Sequence, residues 1–174
     1  QSRWSLPERV EGWEKGGLNL EFAEPVCRRR WREALKRGVA GTRLGTAHDI
    51  GTGPGTIAQL WAELGWRSTG IDFSPGMLES ARRQASESGL KLTLIEGDAE
   101  DPPVGEARFD VISSRFVLFT LPHPGYAVRR WVSLLRPGGS LVLIGHEHGD
   151  RPANGRPGPN PQRPATEAEQ RHRE

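Results

Sequence analysis

Between residues 44 and 146, short apolar runs alternate with stretches whose apolar residues recur at helical spacing. This order of strand, helix, strand and helix is typical of right-handed crossover connections between parallel strands. The pattern therefore predicts an α/β fold, with a mostly parallel five-stranded sheet covered by helices on both faces. The predicted strands are 47–50, 68–71, 92–95, 111–113 and 141–144, and the predicted helices are 57–64, 77–85 and 127–135.

The segments on either side of this region differ from it in composition. Apolar residues from Phe22 to Leu35 follow a roughly helical spacing, which predicts a leading helix. Residues 150–174 are rich in Pro and Arg and contain no large apolar side chain, so they cannot bury enough surface to offset the entropy of ordering. We therefore divide the chain into an N-terminal lid or leading helix (1–43), a core (44–149) and a disordered tail (150–174).

Composition excludes several classes of protein. No apolar run approaches the roughly 18 residues that a membrane-spanning helix needs, so a membrane protein is excluded. Residues 1–150 contain 19 basic and 19 acidic side chains, and the net charge of +2 comes from the tail. Only three basic residues are Lys, so the high isoelectric point reflects a lack of groups that titrate above neutral pH rather than a basic face. Nucleic-acid binding is therefore not expected.

The cysteine count and the first residues of the chain bear on its cellular location. Cys27 is the single cysteine, so an internal disulfide is impossible, and no Cys/His cluster has the spacing of metal ligands. We expect no metal and a reducing, cytoplasmic location. The chain starts at Gln1 without a visible signal peptide, and the missing initiator Met suggests that upstream residues are absent.

The most informative stretch is the glycine-rich segment from Asp49 to Thr56, which leaves the first predicted strand and enters the first core helix. Glycines there allow a tight turn and the close approach of a ligand. The N–H groups at the start of the helix attract an anion. A simple connector that binds nothing is the alternative interpretation.

A carboxylate before the first glycine, and Thr56 at the third glycine position, distinguish this loop from a dinucleotide site. A dinucleotide places its pyrophosphate at the helix N-terminus, where Asp49 would repel it. The same charge favours a ligand whose ammonium points toward Asp49 and whose carboxylate lies on the loop N–H groups. S-adenosylmethionine carries both groups, together with a sulfonium and a ribose, and is the predicted ligand.

Two more carboxylates follow predicted strands. Asp72 ends the second strand, where it can accept hydrogen bonds from both ribose hydroxyls, although NAD sites use the same arrangement. Asp98 follows the third strand, where it can accept from the exocyclic amine of an adenine. The alternative for Asp98 is a helix N-cap before Ala99, and both roles can coexist.

Five ordered motifs resemble class I S-adenosylmethionine-dependent methyltransferases of the small-molecule, type 11-like branch: DIGTGPGT, TGIDFSPGML, IEGDAEDPP, FDVISSRFVLFTLPHP and LLRPGGSLVLI. The resemblance spans 46–146 and implies a Rossmann-like, doubly wound sheet with the strand order 3-2-1-4-5. The family extends this sheet by a C-terminal antiparallel strand pair. No apolar segment follows Ile144, so we expect the chain to be truncated at its C-terminus and to lack that pair.

The resemblance also implies which residues hold the cofactor. The methionine end would lie against the loop and Arg115, the ribose near Asp72, and the adenine near Asp98. The alternative for Arg115 is a surface arginine, and the leading helix lacks the Tyr-Asp pair that related enzymes often present to the cofactor. The full implied set is Asp49, Gly51, Thr52, Gly53, Gly55, Asp72, Phe73, Met77, Asp98, Ala99 and Arg115.

The predicted function is methyl transfer to a small-molecule acceptor by in-line displacement. This reaction depends on alignment and on the exclusion of water, and it requires no fixed nucleophile. If the acceptor is a hydroxyl, His146, just past the fifth strand, is the candidate general base, and a polar loop residue is its alternative. Two other functions stay open: a cofactor-binding but inactive remnant, and a nicotinamide-dependent oxidoreductase, which Asp49 and Thr56 disfavour.

Two residue-level expectations concern the sheet. His48 lies within the first strand, where alternation directs it away from the cleft, so it is predicted to be a core histidine. If no strand follows Ile144, the run 141–144 becomes an apolar edge with unpaired backbone groups. Self-association through this fifth-strand edge is therefore expected.

Overall fold

The computed structural model describes Phe22 and residues 24–145 of the chain. The residues before Phe22, the predicted disordered tail and the candidate base His146 lie outside the described residues. The helices are α1 Pro25–Gly38, α2 Thr56–Glu63, α3 Pro75–Glu87 and α4 Pro124–Ser133, with a 3-10 turn at Leu118–Thr120. The strands are β1 Thr46–Ile50, β2 Arg67–Asp72, β3 Thr93–Glu96, β4 Phe109–Arg115 and β5 Leu135–Ile144.

The five strands form one parallel sheet in the order β3-β2-β1-β4-β5. This confirms the predicted doubly wound, Rossmann-like α/β fold and its strand order. β1 lies at the centre, between β2 and β4, so the strand order reverses beside it and a crevice opens at the carboxyl ends of these strands. β5 is the outer strand within the described part of the sheet, and self-association through it stays a prediction.

Strand β5 starts earlier than the sequence predicts. Leu135 pairs with Phe109, whereas Ser140 pairs with Val111, so residues 136–139 bulge out between the two pairings. This bulge contains a proline, which has no N–H to donate, and Gly138 at φ 78°. The predicted helix 127–135 accordingly ends at Ser133.

The core consists of two clusters of apolar side chains. One includes Leu35 of α1 and Trp61 of α2, and the other includes Trp131 of α4. Both tryptophans are fully buried, so their indole N–H groups need partners. Trp61 Nε1 donates to Ser113 Oγ at 2.9 Å, and Trp131 Nε1 donates to the Ala99 carbonyl at 2.7 Å. Each tryptophan therefore ties its helix to an element that borders the crevice.

His48 is a core residue, as predicted. Its side chain is fully buried and its ring stacks on Phe109, with 4.4 Å between ring centroids and 11° between planes. Burial lowers the pKa of His48 to about 4. The imidazole is therefore neutral at physiological pH.

Helix α1 carries a local positive charge that the balanced total conceals. It contains six Lys and Arg residues and one acidic residue, Glu33. Arg28 and Arg32 form ion pairs with Glu63 of α2, which fixes α1 on the core. Helix α1 is thus locally basic, and the expectation that the chain does not bind nucleic acid stays a prediction. None of the helices in the described part of the chain has both the length and the apolar character that a membrane crossing requires.

Candidate functional site

A cavity of about 180 Å³ opens over the carboxyl ends of β1, β2 and β4. This is the crevice in which open α/β sheets bind ligands. Ten of the eleven residues implied for the cofactor line it: Asp49, Gly51, Thr52, Gly53, Asp72, Phe73, Met77, Asp98, Ala99 and Arg115. The fold therefore gathers residues from four separate stretches of sequence around one cavity.

Gly55 is the exception, because it packs two helices together and is not part of the cavity wall. It precedes α2 with φ 83°, and a Cβ there would lie 2.9 Å from the Cβ of Ala81 in α3. Gly53 differs: at φ 53°, a Cβ would meet no atom within 4 Å. Gly53 therefore faces open space that a ligand can occupy.

Asp72 holds the glycine loop in place. Its Oδ2 accepts from the Gly53 N–H at 2.8 Å, and its Oδ1 accepts from the Ser74 N–H at 2.9 Å. Burial raises the pKa of Asp72, and these hydrogen bonds act against the shift. Because a carboxylate oxygen has two lone pairs, both oxygens can accept a further hydrogen bond from a ligand hydroxyl.

The loop backbone offers less to an anion than the sequence predicts. Besides the Gly53 N–H, the Thr52 N–H donates to the Ile71 carbonyl at 2.8 Å and the Gly55 N–H to the Thr52 carbonyl at 2.9 Å. Three of the loop N–H groups are thus already engaged within the protein. Among the described residues that line the cavity, Arg115 is the only cationic side chain, so it is better suited than the loop to balance a carboxylate.

Asp49 lies at the inner end of the cavity in a buried hydrogen-bond network. Its Oδ1 accepts from Ser113 Oγ and its Oδ2 from Thr52 Oγ1, both at 2.7 Å. Burial raises the pKa of Asp49 to about 6, while the two hydroxyls and the charge of Arg115 oppose the shift. Ser113 could not be predicted as a partner of Asp49 from the sequence. The two residues are neighbours because they pair in the register of β1 and β4.

Arg115 ends β4 within a cluster of aromatic rings. Its Cζ lies 4.8 Å from the ring centroid of Phe22, 5.7 Å from that of Trp31 and 4.8 Å from that of Phe116. These distances are those of cation–π contacts. Phe22 and Trp31 belong to the leading segment, so the cluster joins α1 to the edge of the cavity. Arg115 is half-buried and lines the cavity, and its role toward a ligand stays a prediction.

Phe116 turns the chain out of β4. It has φ 58°, a left-handed conformation that no other non-glycine residue in the described chain adopts. Such a conformation costs a non-glycine residue roughly 1–3 kcal/mol and often occurs at functional sites. Beyond it, Val117, Thr120 and Leu121 complete one wall of the cavity. Sequence reasoning missed these three residues, because an irregular segment after a strand has no periodicity to reveal it.

The remaining implied residues lie where the third strand and α3 meet the cavity. Asp98 Oδ1 accepts from the Glu100 N–H at 2.8 Å, so it stabilises a turn, and no helix begins at Ala99. Met77 is buried at the start of α3, whereas Phe73 is 46% exposed at the cavity edge. In the described part of the chain, no three His, Cys, Asp or Glu side chains cluster as a metal site requires.

The strand order is that of the Rossmann-like methyltransferase fold, and three carboxylates and one arginine line its crevice. The chain belongs to the methyltransferase domain family, whose model matches residues 48–143. This match includes all of the described cavity wall, from Asp49 to Leu121.

Individual relatives agree with this family. Aklanonic acid methyltransferase from Streptomyces sp. (strain C5) is 34% identical over 130 residues, which are 72% of this chain and 57% of that protein. Demethylmenaquinone methyltransferase from Renibacterium salmoninarum is 29% identical over 69% of this chain and 49% of that protein. The CcbJ methyltransferase from Streptomyces caelestis shares the fold with a TM-score of 0.62 at 24% identity, over 77% of this chain and 54% of that one. The chain thus spans about half the length of the curated relatives it matches.

Proposed function

We propose that this chain binds S-adenosylmethionine and transfers its methyl group to a small-molecule acceptor. The observation that supports this most strongly is that one cavity combines buried Asp49 and Asp72 with half-buried Arg115 and the open face of Gly53. Bound there, the cofactor supplies a methyl group that is activated on a sulfonium for in-line displacement. Similarity to small-molecule methyltransferases supports the class of acceptor.

The charges along the cavity suggest how the ligand is oriented. Asp49 would accept from the ammonium of the methionine end, and Arg115 would neutralise its carboxylate. Asp72 would accept from the ribose hydroxyls, and Asp98 from the adenine amine. Gly53 would let the ligand approach the backbone closely. The other implied lining residues would make van der Waals contacts with the ligand. They are Gly51, Thr52, Phe73, Met77 and Ala99.

The acceptor would enter along the wall that follows β4. Phe116, Val117 and Leu121 supply an apolar surface there, which would exclude water from the reacting atoms. In this role the residues align the acceptor, and the reaction needs no protein nucleophile. His146 stays the candidate general base for a hydroxyl acceptor, and a cytoplasmic location stays an expectation from the single Cys27.

A transfer assay tests the proposed reaction. The full chain is incubated with S-adenosylmethionine labelled in its methyl group and with a panel of small phenols, quinols and carboxylic acids. We expect the labelled methyl group to appear in a product that is extracted into organic solvent. The Gly53→Val variant should give no labelled product. A chain that binds S-adenosylhomocysteine but labels no acceptor would favour the inactive remnant.

The affinity for S-adenosylhomocysteine is expected to fall about tenfold from pH 7 to pH 5. The pKa of Asp49 is about 6, so a tenth of the chains retain an ionised Asp49 one pH unit below it. Asp72 and Arg115 are the charged groups that act on Asp49. Calorimetry across this pH range measures the slope, which Asp49→Asn should flatten. The same slope in the variant would assign the titration to another group, such as Asp72.

A further inference from the structure

We propose that Phe22 and Trp31 are positioning residues for the methionine end of the cofactor, and that they act by holding Arg115. This inference rests on the proposed function, because it assigns the carboxylate of the ligand to Arg115. It gives the leading segment a role in the site that does not depend on the Tyr-Asp pair seen in related enzymes.

The two rings form a surface on which the guanidinium lies. Phe22 and Trp31 stack on each other with 5.1 Å between centroids and 27° between planes. Arg115 Cζ is within 6 Å of both centroids, and Phe116 contacts the guanidinium as well. Arginine has several rotatable bonds, so contacts from three rings reduce the entropy that it loses when a ligand binds.

A carboxylate is the group that this arrangement suits. The guanidinium carries its N–H donors in one plane, in a fork that matches the two oxygens of a carboxylate. Within the described cavity wall it is the only cationic side chain, and the N–H groups of Thr52, Gly53 and Gly55 already have acceptors. Asp49 would face the ammonium of the same ligand, so the two ends of an amino acid would meet opposite charges.

Trp31 is held by the core, which makes it a stable support. It packs against the apolar cluster that includes Phe22 and Leu35, and Phe22 is only 3% exposed. Arg28 of the same helix donates from Nε to Glu63 Oε1 of α2 at 2.9 Å. Helix α1 is therefore fixed to the helix that follows the glycine loop, and its aromatic residues hold Arg115 at a set distance from that loop.

A pair of ligands separates positioning from a general loss of stability. S-adenosylhomocysteine carries the amino-acid end, whereas 5′-methylthioadenosine has the same adenine, ribose and thioether without it. With the full chain, we expect Trp31→Leu to weaken binding of S-adenosylhomocysteine about tenfold, and binding of 5′-methylthioadenosine less than about twofold. Trp31→Phe keeps an aromatic ring and should restore most of the difference. Calorimetry gives the affinities, and circular dichroism checks the fold.

The matched control is Trp66→Leu. Trp66 packs in the same core cluster as Trp31 and lies edgewise on Trp61 at 5.8 Å, but it is not one of the three described rings over which the Arg115 guanidinium lies. We expect this variant to lower the unfolding temperature and to leave the ratio of the two affinities unchanged. Arg115→Met should reduce the preference for S-adenosylhomocysteine over 5′-methylthioadenosine as Trp31→Leu does. The double variant should reduce this preference no further than Arg115→Met alone. If Trp31→Leu does not fold, Phe22→Leu replaces it in the same test.

Distinct outcomes would overturn the inference and the proposed function. If Trp31→Leu weakened both ligands by the same factor, or neither, the aromatic pair would have only a structural role. If the unmodified chain bound both ligands equally well, the amino-acid end would gain nothing from Arg115, and the inference would fail while the cofactor assignment stood. If the unmodified chain bound neither ligand, the proposed function would fail and the inference with it.

Discussion

Replacing Gly53 with valine is expected to abolish binding of S-adenosylhomocysteine while the fold persists. A Cβ at this position points into space that holds no protein atom within 4 Å, so the valine side chain would fill the volume that the ligand needs. The left-handed backbone at φ 53° adds strain of roughly 1–2 kcal/mol. This is small beside the roughly 5–15 kcal/mol that stabilises a typical domain. Circular dichroism and calorimetry on one sample measure both properties.

Gly55→Val is the matched control for this prediction. A Cβ at Gly55 would lie 2.9 Å from the Cβ of Ala81, so a larger side chain must push α2 away from α3. We expect this variant to unfold at a lower temperature, in contrast to Gly53→Val. If Gly53→Val bound S-adenosylhomocysteine normally, the loop would be a connector, and the cofactor assignment would lose its main support.

Asp72→Ala is expected to weaken binding of S-adenosylhomocysteine by about 1.5–3 kcal/mol. This is the usual loss when hydrogen bonds to a charged group disappear. The alanine removes the acceptor for the ribose, and it also releases the Gly53 and Ser74 N–H groups from Asp72. Because both ligands contain the ribose, binding of 5′-methylthioadenosine should weaken by the same factor, unlike in Trp31→Leu. Unchanged affinity in calorimetry would contradict the role of Asp72.

The fold could be predicted because its determinants are local. Alternating strands and helices predict the parallel sheet, and the glycine loop after β1 predicts where a ligand binds. Asp49 lies at the penultimate position of β1, Asp72 ends β2 and Asp98 follows β3, so parallel pairing alone brings them to one edge. The irregular start of β5 has no such local signal, because residues 136–139 form a bulge rather than a periodic strand.

The contacts within the site could not be read from the sequence, because they join residues far apart in the chain. Ser113 reaches Asp49 through strand register, and Phe22 reaches Arg115 from the leading segment. The role of Gly55 depends on Ala81 across a helix interface. The sequence also predicts open N–H groups in the loop, but Asp72 and nearby carbonyls accept from three of them.

Titration of the full chain with S-adenosylhomocysteine and with NAD⁺ under the same conditions tests the cofactor assignment most directly. We expect saturable binding of S-adenosylhomocysteine at one molecule per chain. NAD⁺ should give no measurable heat, because its pyrophosphate would meet the buried carboxylate of Asp49 and loop N–H groups that already have acceptors. Binding of NAD⁺ without S-adenosylhomocysteine would favour an oxidoreductase, and binding of neither would contradict the assignment of the cavity.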